Sequence, residues 1–171
     1  MVIKTSIDPL EITILLDLLH DVAKRTGMRP HSDDYFWNQA TSLFPVGAAR
    51  LWYVEYDDKP IAAALFFDDS TTRIYAHAAA NAAPELRKLN AGTALLAEAI
   101  VDAKRSGKQV FDLFGIAPDG ASQRHPWSGF TRFKRSFGGA DVQRAGSWDI
   151  IIKPRQYWIY RTYQTLKRLL G

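Results

Sequence analysis

Cysteine is absent from the 171 residues, which removes disulfides, thiolate catalysis and cysteine-ligated metal together and fits a reducing compartment. No apolar run approaches the roughly 20 residues that cross a bilayer, and Met1-Val2-Ile3-Lys4 lacks the regions of a signal peptide. The expectation is a soluble, cytoplasmic protein. His20, His31, His77 and His125 have no metal-ligand spacing, so no metal is expected. A Gly-x-Ser-x-Gly elbow is missing too, which leaves no recognisable covalent nucleophile. There is no internal repeat, low-complexity linker or boundary to a second domain, and the length suits a single domain over residues 1–171.

What is present begins with charge. The net charge is only +4, yet 7 of the 22 basic residues fall between Arg124 and Arg155, against Asp141 and Asp149 alone. Such a local excess points to an anionic partner.

Asp8-Pro9-Leu10-Glu11 has the form of a capping box, and Ile12, Leu15, Leu16, Leu19 and Val22 then recur at helical spacing. A first helix is predicted from about Pro9 to Arg25. Ser32-Asp33-Asp34 caps a second, which ends before Pro45. Three strands follow, Arg50 to Tyr56, Ile61 to Phe67 and Thr72 to Ala78, separated by turn residues and predicted to form an antiparallel meander. A helix from about Ala91 to Ser106 leads to a short apolar strand, Val110 to Phe114, predicted to be central and buried. Beyond a Gly/Pro-rich loop, a helix over Ser128 to Phe137, a strand over Asp141 to Ile152 and a final helix from Pro154 complete the order ααβββαβαβα.

This order resembles the GNAT acyltransferase fold. The fold class expected is therefore α/β (α+β): a mixed, mostly antiparallel central sheet, flanked by helices, that splays into a donor cleft. GNAT enzymes that use acetyl-CoA hold its pyrophosphate on backbone N–H groups at a helix start, in a Gln/Arg-x-x-Gly-x-Gly/Ala motif. In Arg87-Lys88-Leu89-Asn90-Ala91-Gly92-Thr93-Ala94, Gly92 and Ala94 fit the last two positions and Leu89 does not fit the first. Gly92 then reads equally as an anion site or as a place of close helix packing. The departure at Leu89 argues against acetyl-CoA, and no cofactor is expected.

Three further motifs occur in order: Phe111-Asp112-Leu113-Phe114-Gly115, Gly129-Phe130-Thr131-Arg132-Phe133-Lys134 and Phe137-Gly138-Gly139. Together with Gly146-Ser147-Trp148-Asp149 and Tyr157-Trp158-Ile159-Tyr160 they resemble the second, GNAT-like domain of the FemABX peptidoglycan interpeptide-bridge aminoacyltransferases. The resemblance implies transfer of an amino acid from aminoacyl-tRNA, as co-substrate, to an amine of a UDP-linked or lipid-linked muramyl peptide. It also implies a separate first domain as a partner, because the family's cleft is built partly from one. Lys134 would stabilise the oxyanion, Phe133 would pack against the terminal adenosine of the tRNA, and Arg132 and Arg135 would supply the cationic surroundings of the donor. On the acceptor side the resemblance implies Tyr35, Tyr75 and, with His31 standing where an arginine is expected, Arg29.

The residues by themselves read more plainly. Phe130, Phe133 and Phe137 have the spacing of a buried stripe, and Lys134 beside two arginines reads as a solvated charge. Arg29 reads as a surface charge, Tyr75 as a half-buried sheet tyrosine and Asp112 as the cap of the loop after its strand. Two alternative functions stay open: an acyl-CoA-dependent N-acyltransferase, and a non-catalytic module that binds tRNA or precursor. The final helix, with Ile159, Tyr163, Leu166 and Leu170 on one side and Arg161, Lys167 and Arg168 elsewhere, reads as a docking face on the domain. It also has the form of a basic amphipathic helix that could rest peripherally on the inner face of an anionic membrane.

Overall fold

Residues 1–146 and 148–170 are described in the computed structural model, the last three by backbone alone. Ser147 of the fourth motif therefore lies outside the described residues, as do the side chains of Arg168 and Leu170. The chain divides into two compact units, Met1–Gly138 and Gly139–Gly171.

The first unit opens with a strand that the sequence reading missed, β1 (Val2–Ser6). Its five residues are too few to establish a period, and only Ile3 and Ser6 are partly covered. A short 3-10 turn, Pro9–Glu11, precedes α1 (Ile12–Thr26). Asp8 caps it by accepting from the Leu10 N–H at 2.9 Å, whereas its own N–H donates to Ser6 Oγ, so the reciprocal half of the box is not made. Helix α2 (Asp33–Leu43) starts after Ser32, which makes no side-chain cap bond.

Next comes the expected meander of β2 (Ala49–Tyr56), β3 (Lys59–Asp68) and β4 (Thr72–Ala80). A short helix that the sequence reading missed, α3 (Pro84–Arg87), leads into α4 (Ala91–Arg105) and β5 (Val110–Asp112). Helix α5 (Ser128–Arg135) closes the unit. The sheet runs β1-β2-β3-β4-β5 in chain order, antiparallel throughout except for the parallel β4–β5 pair.

The sheet is covered on both faces. Ile12 and Leu15 of α1 and Phe36 of α2 pack on Leu51 and Leu65, while Leu95 and Leu96 of α4 pack with Trp52, Val54 and Phe66 on the other face. Strands β2 and β3 accordingly read as nearly unbroken apolar runs. The expectation of a central β5 is not met. Among the described residues β5 is the outermost strand, paired only through Thr72–Ile74 with Val110–Asp112, and Val110 is exposed.

The second unit holds α6 (Pro154–Leu170). The strand expected over Asp141 to Ile152 does not form among its described residues. Ile150 and Ile152 alternate as a strand would, but alternation specifies a face and not a hydrogen-bonding partner, and among the described residues this unit contains no second strand to supply one.

Candidate active site at the parting of β4 and β5

Strand β4 changes sides midway. Its partners on β3 run Leu65 with His77 and then Phe66 with Tyr75, so Ala76 is an extra residue and the strand carries a bulge. Tyr75 consequently joins the α4 layer beside Phe66, with ring centroids 5.4 Å apart, while His77 faces the α1/α2 layer against Phe36 at 5.0 Å. On the other edge of β4, pairing with β5 ends at Ile74–Asp112, and beyond that point the bulged strand has no ladder partner on this side among the described residues.

Past Asp112 the chain turns sharply. Phe114 sits in the left-handed region at φ 64°, a costly conformation for a bulky residue, and the Asp112 carboxylate holds the turn by accepting from the Phe114 N–H at 2.7 Å. The turn presents the Gly115 carbonyl inward, and α5 grips the segment twice. Thr131 Oγ1 accepts from the Ala117 N–H at 2.9 Å, and Lys134 Nζ donates to Gly115 O at 2.8 Å. The inward face of α5 is thus polar: Thr131 and Lys134, three residues apart, are its buried positions.

Lys134 is only 2% exposed. The solvated-charge reading fails because the ammonium turns in beneath Phe130, whose ring centroid lies 4.0 Å away, with Tyr75 at 5.9 Å. Burial lowers the Lys134 pKa to about 8, with Asp112 pulling in the opposite direction. Tyr75 is also buried, and burial raises its hydroxyl pKa, so it stays protonated at neutral pH.

The remaining candidates are arranged as follows. Phe133 is half-buried and packs on the α4-side core cluster. The exposed aromatic rings of this region are Phe114, Trp127 and Phe130, Trp127 lying 3.7 Å from where a Cβ on Gly115 would lie. The stripe expected of Phe130, Phe133 and Phe137 therefore breaks at Phe130. Arg132 and Arg135 are exposed, Arg135 lying 3.9 Å from Asp119. Arg29 is exposed in the segment before α2, and Tyr35 stacks on His31 with ring centroids 4.2 Å apart. Tyr75 and Lys134 are brought together. Tyr35 instead belongs to the opposite layer, where it meets His77 at 5.8 Å.

His77 is the residue that sequence reasoning passed over, having weighed it only as a metal ligand. No metal-holding cluster occurs among the described residues. Burial, aided by His31, lowers the His77 pKa to about 4, so the ring is neutral at pH 7. The unfolded chain binds this proton below pH 6.5 and the folded chain only below about 4, so stability falls as pH drops through that interval. His31, Tyr35, Phe36 and Phe67 are the rings that face it. His77→Phe is expected to flatten the stability profile between pH 6.5 and 4, measured by urea denaturation; an unchanged acid slope would exclude His77 as its source.

The start of α4 can be tested for a pyrophosphate. Thr93 and Ala94 both donate to Asn90 O, so Ala91 and Gly92 precede the first helical bonds. No atom lies within 4 Å of a Cβ built on Gly92, so close helix packing is not what requires a glycine there. Leu89, at the position of the expected cation, packs against the core. The backbone half of such a site is present and the side-chain half is not, so the residues do not fit the complete group.

A bulged strand beside a parted neighbour, with helices on both faces, is the architecture of an acyl-transfer fold. The chain belongs to the acetyltransferase (GNAT) domain family, whose model matches residues 2–135, and it is an acyltransferase by class. No curated protein matches it in sequence. Among solved structures it is similar to the aminoglycoside 6'-N-acetyltransferase AAC(6')-IG of Acinetobacter haemolyticus, at 17% identity and a TM-score of 0.64, covering 90% of this chain and 100% of that one. It is also similar to a predicted acetyltransferase with acetyl-CoA from Clostridium acetobutylicum (15% identity, TM-score 0.61, 88% and 96% covered). A third is the ribosomal-protein-alanine N-acetyltransferase of Brucella melitensis biovar Abortus (17%, 0.56, 88% and 99%). At these identities the likeness is one of fold.

Proposed function

We propose that this chain transfers an aminoacyl group from aminoacyl-tRNA to an amine of a peptidoglycan precursor peptide, in the manner of the FemABX enzymes whose motifs it resembles. The observation that carries the reading is Lys134, a cation buried against Gly115 O where β4 and β5 part. An aminoacyl ester is already activated. The neutral acceptor amine attacks the ester carbonyl, the C–N bond forms, and negative charge collects on the carbonyl oxygen. The C–O bond to the terminal ribose then breaks, and the departing hydroxyl takes up a proton while the nitrogen loses one.

The protein must orient the amine and stabilise the oxyanion. An ammonium has three donors, and Gly115 O accepts one of them. In this low-dielectric setting the charge acts more strongly than it would at the surface. Phe130 and Trp127 lie outside it and swing aside when the donor enters, their rings meeting its terminal adenosine. Tyr35 and His31, beside His77 in the layer opposite Lys134, and the exposed Arg29 before α2 would meet the acceptor from the other face of the sheet.

A second reading, acyl-CoA as donor, is favoured by the open helix start at Gly92. Radiolabelled amino acids in a mixed aminoacyl-tRNA pool, offered with UDP-linked muramyl pentapeptide and run beside an acyl-CoA control, separate the two. Label in the pentapeptide is the expected result. Transfer from acyl-CoA alone would replace this reading with the second, and no transfer from either would leave a binding module that needs a separate first domain.

A further inference from the structure

Residues 139–171 hold six Lys or Arg against two Asp, and residues 1–138 hold sixteen of each sign, so the whole net charge of +4 resides in the second unit. No acidic residue occurs in α6. At about 100° per residue, Trp158, Ile159, Tyr163 and Leu166 share an arc of roughly 140° that also takes in Thr162 and, in the first turn, Arg155, while Gln156, Tyr157, Tyr160, Arg161, Gln164 and Lys167 occupy the rest of the helix. All four apolar residues of this arc are exposed, and so are Trp148, Ile150 and Ile152 before the helix. The unit by itself therefore leaves its large apolar side chains uncovered, which calls for an occupant.

We infer that the second unit docks on an anionic lipid surface, with the apolar arc of α6 entering the interface and Arg161 and Lys167 lying along its flank. Charge selects this occupant. A second copy would set one cationic unit against another, and the first unit carries no net charge to attract it. A nucleic acid would be met by cations and aromatic rings, and it gives the exposed aliphatic side chains Ile150, Ile152, Ile159 and Leu166 nothing to do, whereas a lipid interface takes them in. Tryptophan and tyrosine beside lysine and arginine are the composition of a membrane interface. Tyr157 donates to Asp149 at 2.7 Å, which engages one of the unit's two acids at the foot of the helix. The inference does not depend on which acyl donor is used.

Cosedimentation of the full chain with vesicles tests it. Binding to phosphatidylcholine vesicles containing phosphatidylglycerol should exceed binding to phosphatidylcholine alone by about tenfold or more and weaken at high salt. Trp158→Glu combined with Leu166→Glu should abolish binding, and Arg161→Gln combined with Lys167→Gln should reduce it, with circular dichroism and melting unchanged in the charge variant. Failure to bind either vesicle overturns the proposal, and so does binding that neither pair of substitutions alters. Self-association removed by the Trp158 and Leu166 changes, without vesicle binding, would assign the face to a second copy. Retention on immobilised tRNA without vesicle binding would assign it to nucleic acid, and either outcome overturns the lipid assignment.

Discussion

Lys134→Met is expected to lower transfer by about a hundredfold or more in kcat/KM, the scale for losing one oxyanion donor, while tRNA binding is largely retained. The geometry also allows a purely structural role, because Lys134 and Thr131 together hold the 115–117 segment against α5. Two measurements separate the roles. If Lys134 only clamps Gly115, Thr131→Val should cost comparable activity, since it releases the same segment through the Ala117 N–H. If Lys134 meets the reacting carbonyl, its loss should far exceed that of Thr131→Val at similar melting temperatures.

The second measurement is a pH profile. The ammonium is lost above about pH 8, so transfer should decline there, and Lys134→Arg should move that alkaline limb upward in whatever activity it keeps. Stability should move the other way. The unfolded chain holds this proton to about 10.5 and the folded chain only to about 8, so between those values the unfolded state binds more protons and stability rises with pH. Lys134→Met should erase that rise in denaturation at pH 7 and 10. Near-normal turnover in the variant would rule out the catalytic role.

The places where the sequence led well and badly share a physical cause. Strands β2 to β4 and helix α4 were legible because each carries its own period between turn residues or caps. The strand expected over Asp141 to Ile152 had the pattern of a strand without a partner, and pairing is not written in a single segment. Val110 to Phe114 looked central for the same reason: an apolar run reports burial of side chains, not the number of neighbours on its edges. The site divides along this line too. Lys134 was reached through a motif, yet beside Arg132 and Arg135 nothing announced that it would be buried, because that depends on a carbonyl 19 residues earlier being turned toward it. Tyr75 was reached only through the resemblance and His77 was weighed only as a metal ligand, and the sequence did not show that the two face opposite layers. Residues two apart on a strand share a face, and only the extra residue Ala76, a property of register between two strands, sends them to opposite sides.

Arg73→Leu should destabilise the first unit by about 3–5 kcal/mol, a melting-temperature loss of roughly 10 °C or more. Arg73 is 2% exposed. Its guanidinium reaches both carboxylate oxygens of Asp68, at 2.8 and 3.0 Å, and Asp102 at 2.7 Å, with a further bond to Ala99 O at 3.3 Å. One side chain thus ties the end of β3 and the last turns of α4 to β4, in the same three-residue stretch that pairs with β5. Removing it strands two carboxylates, of which Asp68 is itself largely covered. The cost therefore comes from uncompensated charge more than from a lost attraction, and that distinction can be tested. Adding Asp68→Asn and Asp102→Asn to Arg73→Leu should recover a substantial part of the stability, because neutral amides cost less to leave unpaired. A loss under about 1 kcal/mol for the single substitution would mean that the network behaves as a surface ion pair. Loss of transfer in parallel with stability would follow from the position of Arg73, two residues before Tyr75 on the strand that forms one wall of the candidate site.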